Sequence, residues 1–307
     1  MPIAAEQSAV PTPVSRPERL TTLDLVRGCA VLGILLMNVW AFAGPQAYFD
    51  NPAGIADRAG APLQTWAVMH TLFEGSQRAL FSLLFGAGML LMVSRLADTP
   101  GARVGRLYYR RIFLLITIGL FDAFVLLWPA DILFTYGLCG LLLFPLRRLP
   151  VPALLATALL VMSLNASLRW ADLNEARGLS AAYPDALLQA EADPRAAEIV
   201  EQWENIVERT RPDVTSEELA DTIRITSSGE FGEFYRDRAT TSLILQTVVA
   251  LNAWFLDALA VMLIGMAALR AGLFGESARK APLLLMLVGY GIGLPLSLGE
   301  TWTLIDV

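Results

Sequence analysis

Long uncharged apolar runs alternate with short polar segments along this chain, and that rhythm predicts membrane-spanning helices. A hydrocarbon layer about 30 Å thick takes roughly 20 apolar residues at a helical rise of about 1.5 Å each. The runs are Gly28 to Phe49, Ala79 to Ser94, Ile112 to Trp128, Asp131 to about Leu146, Leu149 to Leu168, Thr240 to Leu269 and Ala281 to Gly299. The expected fold is all-α: a polytopic transmembrane bundle of about seven spans. Several spans follow the first, so Gly28 to Phe49 is read as a retained anchor rather than a cleaved signal peptide. Pro45 to Pro62 is rich in proline and glycine and reads as a loop. Trp66 to Arg78 reads as an amphipathic segment at the membrane interface, and Arg95 to Arg111 as a basic loop.

The expected organisation is a cytoplasmic tail over 1–23 and a five-span core over 24–170. An extracytoplasmic acidic helical segment over 171–240 follows, then two further spans over 241–307. Segment 171–240 carries 16 acids and 7 arginines, a net of −9, which accounts for the overall charge of −6. The short loops on one side hold Arg16 and Arg19, then Arg95, Arg103, Arg106, Arg110 and Arg111, then Arg147 and Arg148, then Arg270, Arg279 and Lys280. Cytoplasmic loops concentrate such cations, so the N-terminus is expected in the cytosol and segment 171–240 outside.

Composition supports the membrane reading: 55% of the 307 residues are hydrophobic and 17% charged, against about 25% charged in a soluble domain. Nothing points to nucleic acid as a partner; the partner expected from composition is the lipid bilayer. Cys29 and Cys139 lie inside apolar runs, which argues against a disulfide framework. With one histidine, His70, no Cys/His zinc site is expected. The glycines of Phe85-Gly86-Ala87-Gly88, and Gly289, Gly291 and Gly293, suit close helix packing. No P-loop, dinucleotide fingerprint, HExxH or GxSxG elbow occurs. Oligomeric state leaves no mark in the sequence.

Polar residues inside apolar runs need a partner or a purpose. Asp24 and Arg27, three apart at the start of the first span, are either a helix-end ion pair or an anion site facing the bundle. Asn38 lies roughly 16 Å further along the helix axis, as a packing amide or a site donor. Asp122 and Asp257 fall near the middles of the third and sixth spans, as proton carriers, partners for buried donors or cavity lining. Asp131 is placed to cap a helix N-terminus. His70, Glu74 and Arg78, each four apart, form either a surface salt-bridge ladder or a histidine base oriented by a carboxylate.

The opening Leu23-Asp24-Leu25-Val26-Arg27-Gly28, continued by Val31 to Asn38, resembles the YeiB family of bacterial membrane proteins. So do Phe81 to Gly88, and Trp128 with Asp131-Ile132-Leu133 before Tyr136-Gly137-Leu138. The first spans are in turn similar to transmembrane acyltransferases such as the lysosomal heparan-glucosaminide acetyltransferase. That resemblance implies a bacterial cytoplasmic membrane location, cytosolic acyl-CoA as cosubstrate and an outer acceptor such as a sugar or glycan. It implies His70 as catalytic base, with Glu74 to orient it and Asn38 near the acyl group. The same reading gives acyl-CoA binding to Asp24, Arg27, Arg106, Arg110 and Arg111, with no permanently bound cofactor. The chain departs from the family pattern at Asp122, where a histidine is usual, and at Ala130, where a glycine is usual. It also ends after the seventh expected span, which reads as a chain shortened relative to the family. Two other functions stay open: a proton- or cation-coupled transporter using Asp122 and Asp257, and a noncatalytic membrane partner.

Overall fold

The computed structural model describes residues 21–43, 51–52, 60–97, 103–129, 131–210, 217–274, 291 and 293–306. Expectations that rest on 1–20, on most of the Pro45 to Pro62 loop, on Ala130 or on 275–290 lie outside them, Gly289 included. Every regular element described is helical. The order is α1 Thr21–Ala43, α2 Ala61–Phe73, α3 Ser76–Ala97, α4 Val104–Phe124, α5 Leu133–Leu146 and α6 Val151–Gln189. Then come α7 Pro194–Thr210, α8 Glu217–Ser227, α9 Phe231–Ile244, a π-helical stretch Leu245–Trp254, α10 Phe255–Arg270 and α11 Leu294–Asp306.

The all-α class is as the apolar periodicity predicts, whereas the described residues do not by themselves confirm seven spans. Among the described residues, two helical stretches are long and apolar enough to cross a membrane, Ala61–Ala97 and Val151–Gln189. A third arises if Phe231–Asn252 and Phe255–Arg270, bent by 56°, are taken together. α5 is apolar but short. α6 shows most plainly what an apolar solvent would cover: Leu159 is 65% exposed and Leu160 69%. Its 39 residues extend roughly 58 Å at 1.5 Å per residue, about twice the hydrocarbon thickness.

Several boundaries differ from those expected. The segment from Arg95 to Arg111 is not all loop: Arg95 lies in the last turn of α3, and Arg106, Arg110 and Arg111 stand on α4. Arginine is a strong helix former, and charge alone does not end a helix. The segment from Trp66 to Arg78 is not one helix, because α2 ends at Phe73 and α3 begins at Ser76. Gly75 between them adopts φ +67°, a left-handed value that glycine takes without penalty. The sixth expected span is interrupted by the π-helical stretch, so Asp257 lies in the first turn of α10 rather than mid-span. Asp122 lies in the last turn of α4, which ends at Phe124.

The chain divides into two compact units. The first comprises residues 1–32, 75–162 and 231–285. Its core packs Met89, Tyr108, Tyr136, Leu143, Met262 and Met266, all at most 4% exposed. α3 and α10 meet at two glycines. A Cβ at Gly86 would overlap the Met262 carbonyl, and a Cβ at Gly265 would overlap the Leu83 carbonyl. Small residues at such contacts let helix backbones approach. Gly291 and Gly293 have no such neighbour within 4 Å, so the packing expected of them is not seen. The second unit comprises residues 33–74, 163–230 and 286–307. In it α11 packs on α2, and the Tyr183 and Trp203 rings meet at 6.4 Å between α6 and α7.

Candidate functional site

Three helices of the first unit enclose a cleft of about 330 Å³. Arg27 of α1, Phe81 and Met92 of α3, and Tyr108, Arg111 and Leu115 of α4 are among its lining residues. The lining is apolar apart from the two guanidinium groups and the Tyr108 ring, whose hydroxyl donates to the Gly140 carbonyl at 2.6 Å. Gly88 makes room for Arg27: a Cβ there would stand 3.1 Å from Arg27 Nη2. Arg27 also pairs with Asp24 at 3.9 Å, both side chains about half exposed. The helix-end ion pair and the bundle-facing cation are therefore the same residue. Arg111 donates to the Met92 thioether at 2.8 Å. Helical placement separates the three α4 arginines. All three are exposed, and of them Arg111 lines the cleft while Arg106 and Arg110 do not.

The carboxyls expected within the spans sit elsewhere in this unit. Asp131 is buried and accepts the backbone N–H of Leu133 at 3.1 Å and of Phe134 at 3.0 Å, which caps α5. Asp122 of α4 stands near this carboxyl. Gly119 leaves space for this, since a Cβ there would meet Asp131 Oδ2 at 2.5 Å. Gln246 of the π-helical stretch donates to the Asp131 carbonyl at 2.9 Å. Asp257 has a cationic partner the sequence reading did not supply, Arg78 at 3.7 Å. Arg78 also lies over the Trp254 ring at 6.0 Å, and its carbonyl accepts the Tyr136 hydroxyl at 3.1 Å. The residues of this pair stand 179 positions apart (257 − 78), a separation no spacing rule bridges.

In the second unit His70 is buried, 7% exposed. Its ring stacks on Trp66, one turn earlier, at 4.8 Å between centroids. Nδ1 lies 3.2 Å from the Thr301 hydroxyl of α11. The single helix expected to carry His70, Glu74 and Arg78 on one face is broken at Gly75. Glu74 follows the last residue of α2, with extended backbone at φ −60° and ψ 126°, and it is exposed. Its own N–H donates to the His70 carbonyl at 3.2 Å. Thr301 was absent from the sequence reading because only the fold brings it to His70. Asn38 is half-buried on α1. Among the described residues, no group of three or more His, Cys, Asp or Glu side chains could hold a metal ion.

The chain is 39% identical over 132 residues to the uncharacterized protein YeiB of Escherichia coli (strain K12), covering 43% of this chain and 32% of that one. It is 35% identical over 155 residues to the uncharacterized protein YxaH of Bacillus subtilis (strain 168), covering 48% and 37%. An uncharacterized 39.9 kDa protein encoded in the amylase 3' region of Bacillus acidopullulyticus is 33% identical over 137 residues, covering 45% and 36%. The matched parts span only 32% to 37% of these curated relatives. No family model matches, and no solved structure matches. Over somewhat less than half its length, this helical chain is similar to YeiB-like proteins.

Proposed function

We propose that this chain is a multi-pass bacterial membrane protein that transfers an acyl group from cytosolic acyl-CoA to an extracytoplasmic acceptor such as a sugar or glycan. The observation that carries the reading is the pair of guanidinium groups, Arg27 and Arg111, in an otherwise apolar cleft. An acyl-CoA has matching chemistry: phosphates at one end, a thioester and an apolar chain at the other. Arginine forks pair with phosphate oxygens bidentately, and apolar walls favour the acyl and pantetheine parts. In the chemical step His70 takes the proton from the acceptor O–H or N–H. The acyl C–S bond breaks as the new C–O or C–N bond forms, and the proton passes to the departing CoA thiolate. Imidazole suits that role near neutral pH. The Asn38 amide donates to the developing oxyanion, an interaction worth about 3 kcal/mol in a preorganised site.

The closeness of the Asp122 and Asp131 carboxyls favours a second reading, proton-coupled transport. Asp257 does not add to it, since its carboxylate is paired with Arg78.

Titrating the detergent-purified protein with an acyl-CoA tests the first reading. Arg111→Lys removes the fork and keeps the charge. A charge-assisted hydrogen bond contributes about 1.5–3 kcal/mol, so affinity is expected to fall about ten- to a hundredfold. Arg110→Lys, outside the cleft, is expected to bind like the wild type. Equal affinity in wild type and Arg111→Lys, or no acyl-CoA binding at all, contradicts the reading.

A further inference from the structure

Arg106 stays outside the cleft, and the packing of α4 on α5 brings it into a second basic group. Gly105 of α4 faces Phe144 of α5, and Gly119 faces Phe134, so the two helices run antiparallel and the start of α4 lies beside the end of α5. Arg147 lies over the Phe144 ring at 3.6 Å, and Tyr109 meets that ring at 5.1 Å between centroids. Arg270, the last residue of α10, donates to the Arg147 and Leu149 carbonyls. One end of the first unit therefore gathers Arg106, Arg147, Arg148 and Arg270, all but Arg147 exposed.

These helices do not balance that charge themselves. α4 before Asp122, α5, and α6 before Asp172 contain no acidic residue, and Asp257 lies at the opposite end of α10. The surface next to the cations is apolar. On α4, Phe113 lies seven residues beyond Arg106, and Leu120 and Phe121 lie fourteen and fifteen beyond it. At 3.6 residues per turn all three continue the Arg106 face, and all three are exposed. On α6, Leu155, Leu159 and Leu160 are exposed as well. A molecule that matches both parts carries an anion at one end and an apolar chain at the other. Half a hydrocarbon layer is about 15 Å deep, roughly ten residues of helix, which suits the chain of a lipid standing beside α4. Basic groups between helix ends on the cytoplasmic side hold anionic headgroups in this way, and Arg pairs with phosphate oxygens through its planar fork.

We infer that the end of the first unit formed by Arg106, Arg147, Arg148 and Arg270 binds the headgroup of an anionic phospholipid, whose chains lie along the exposed apolar faces of α4 and α6. Arg106 and Arg148 meet the phosphate. Arg147, held over Phe144 with its Nη1 donating to the Phe144 carbonyl at 2.6 Å, adds fixed positive charge beside them. The inference rests on the membrane reading of the chain and not on acyl transfer. It separates two groups of arginines that the sequence reading joined, Arg111 in the cleft and Arg106 at the lipid.

Native mass spectrometry of the full chain in a neutral detergent counts bound lipids and gives their affinities. The probes are dioleoyl phosphatidylglycerol and dioleoyl phosphatidylcholine, which share their chains and differ in headgroup charge. The wild type is expected to bind the phosphatidylglycerol more tightly. Arg106→Gln and Arg148→Gln are each expected to weaken it about fivefold, the usual effect of one interfacial cation, and to leave the phosphatidylcholine unchanged. Arg195→Gln removes the same charge from an exposed position of α7 and is expected to bind both lipids like the wild type. Equal wild-type affinity for the two lipids overturns the inference, and so does an equal loss in Arg195→Gln and Arg106→Gln. Displacement of the phosphatidylglycerol by an acyl-CoA would place the lipid in the Arg27–Arg111 cleft and overturn it as well. If the phosphatidylglycerol binds as stated and no acyl-CoA binds, the lipid site stands and the acyl-transfer reading falls.

Discussion

Leucine at Gly86 or at Gly265 is expected to prevent the first unit from assembling. A Cβ at either position falls on backbone of the facing helix, the Met262 carbonyl for Gly86 and the Leu83 carbonyl for Gly265. Backbone cannot swing aside as the end of a flexible side chain can, so α3 and α10 must separate along the contact. Inserting bulk into a packed core costs about 1–3 kcal/mol, and more where the obstruction is rigid. That is a large part of the roughly 5–15 kcal/mol that holds a typical domain together. Thermal unfolding of the purified protein measures the effect, with a large drop in midpoint or no folded protein recovered. Gly178→Ala is the control: the position has no neighbour within 4 Å and sits inside α6, where alanine is favoured over glycine by about 1 kcal/mol. The double leucine variant is expected to cost less than the sum of the singles, because helices already forced apart accommodate the second side chain. Unaltered stability in Gly86→Leu would mean that α3 and α10 do not meet through these glycines.

His70→Ala is expected to lower acyl transfer about 10²- to 10⁴-fold, the usual contribution of a positioned general base. The substitution also deletes a buried ring that stacks on Trp66, so loss of activity alone does not separate chemistry from packing. Acyl-CoA affinity makes the separation. His70 is not among the residues that line the cleft. Affinity is therefore expected to stay near the wild-type value while turnover falls. Full turnover in a folded His70→Ala variant would remove the base assignment, and affinity lost in parallel with turnover would point to a structural role.

What the sequence revealed and what it hid follow from the range of the interactions involved. Apolar period and local spacing are short-range signals, and they located α3, α5 and the Asp24–Arg27 pair, whose members are three apart. The cap at Asp131 was legible for the same reason, since its partners Leu133 and Phe134 follow directly. Reading the arginine cluster as a loop failed because topology-setting charges can ride on a helix: α4 begins at Val104 and carries Arg106, Arg110 and Arg111. The same helix then decides which arginine faces the cleft, a distinction that counting charges cannot make. The single helix expected to carry His70, Glu74 and Arg78 is interrupted at one glycine, Gly75, whose positive φ breaks the helix between α2 and α3. Partners brought together only by the fold left no trace in the sequence, as with Asp257 and Arg78, or His70 and Thr301.

In the proposed topology a multi-pass chain presents its arginine-rich ends to the cytosol and segment 171–240 to the outside, so that acyl-CoA and acceptor approach from opposite faces. Single cysteines at Ala97, exposed at the end of α3, and at Ser180, exposed on the distal part of α6, test it in a background with Cys29 and Cys139 replaced by alanine. Intact cells are treated with a membrane-impermeant thiol reagent. The cysteine at 180 is expected to be labelled, and the cysteine at 97 only after the cells are opened. Labelling of position 97 in intact cells with protection of position 180 would invert the topology and contradict a cytosolic acyl donor at the Arg27–Arg111 cleft.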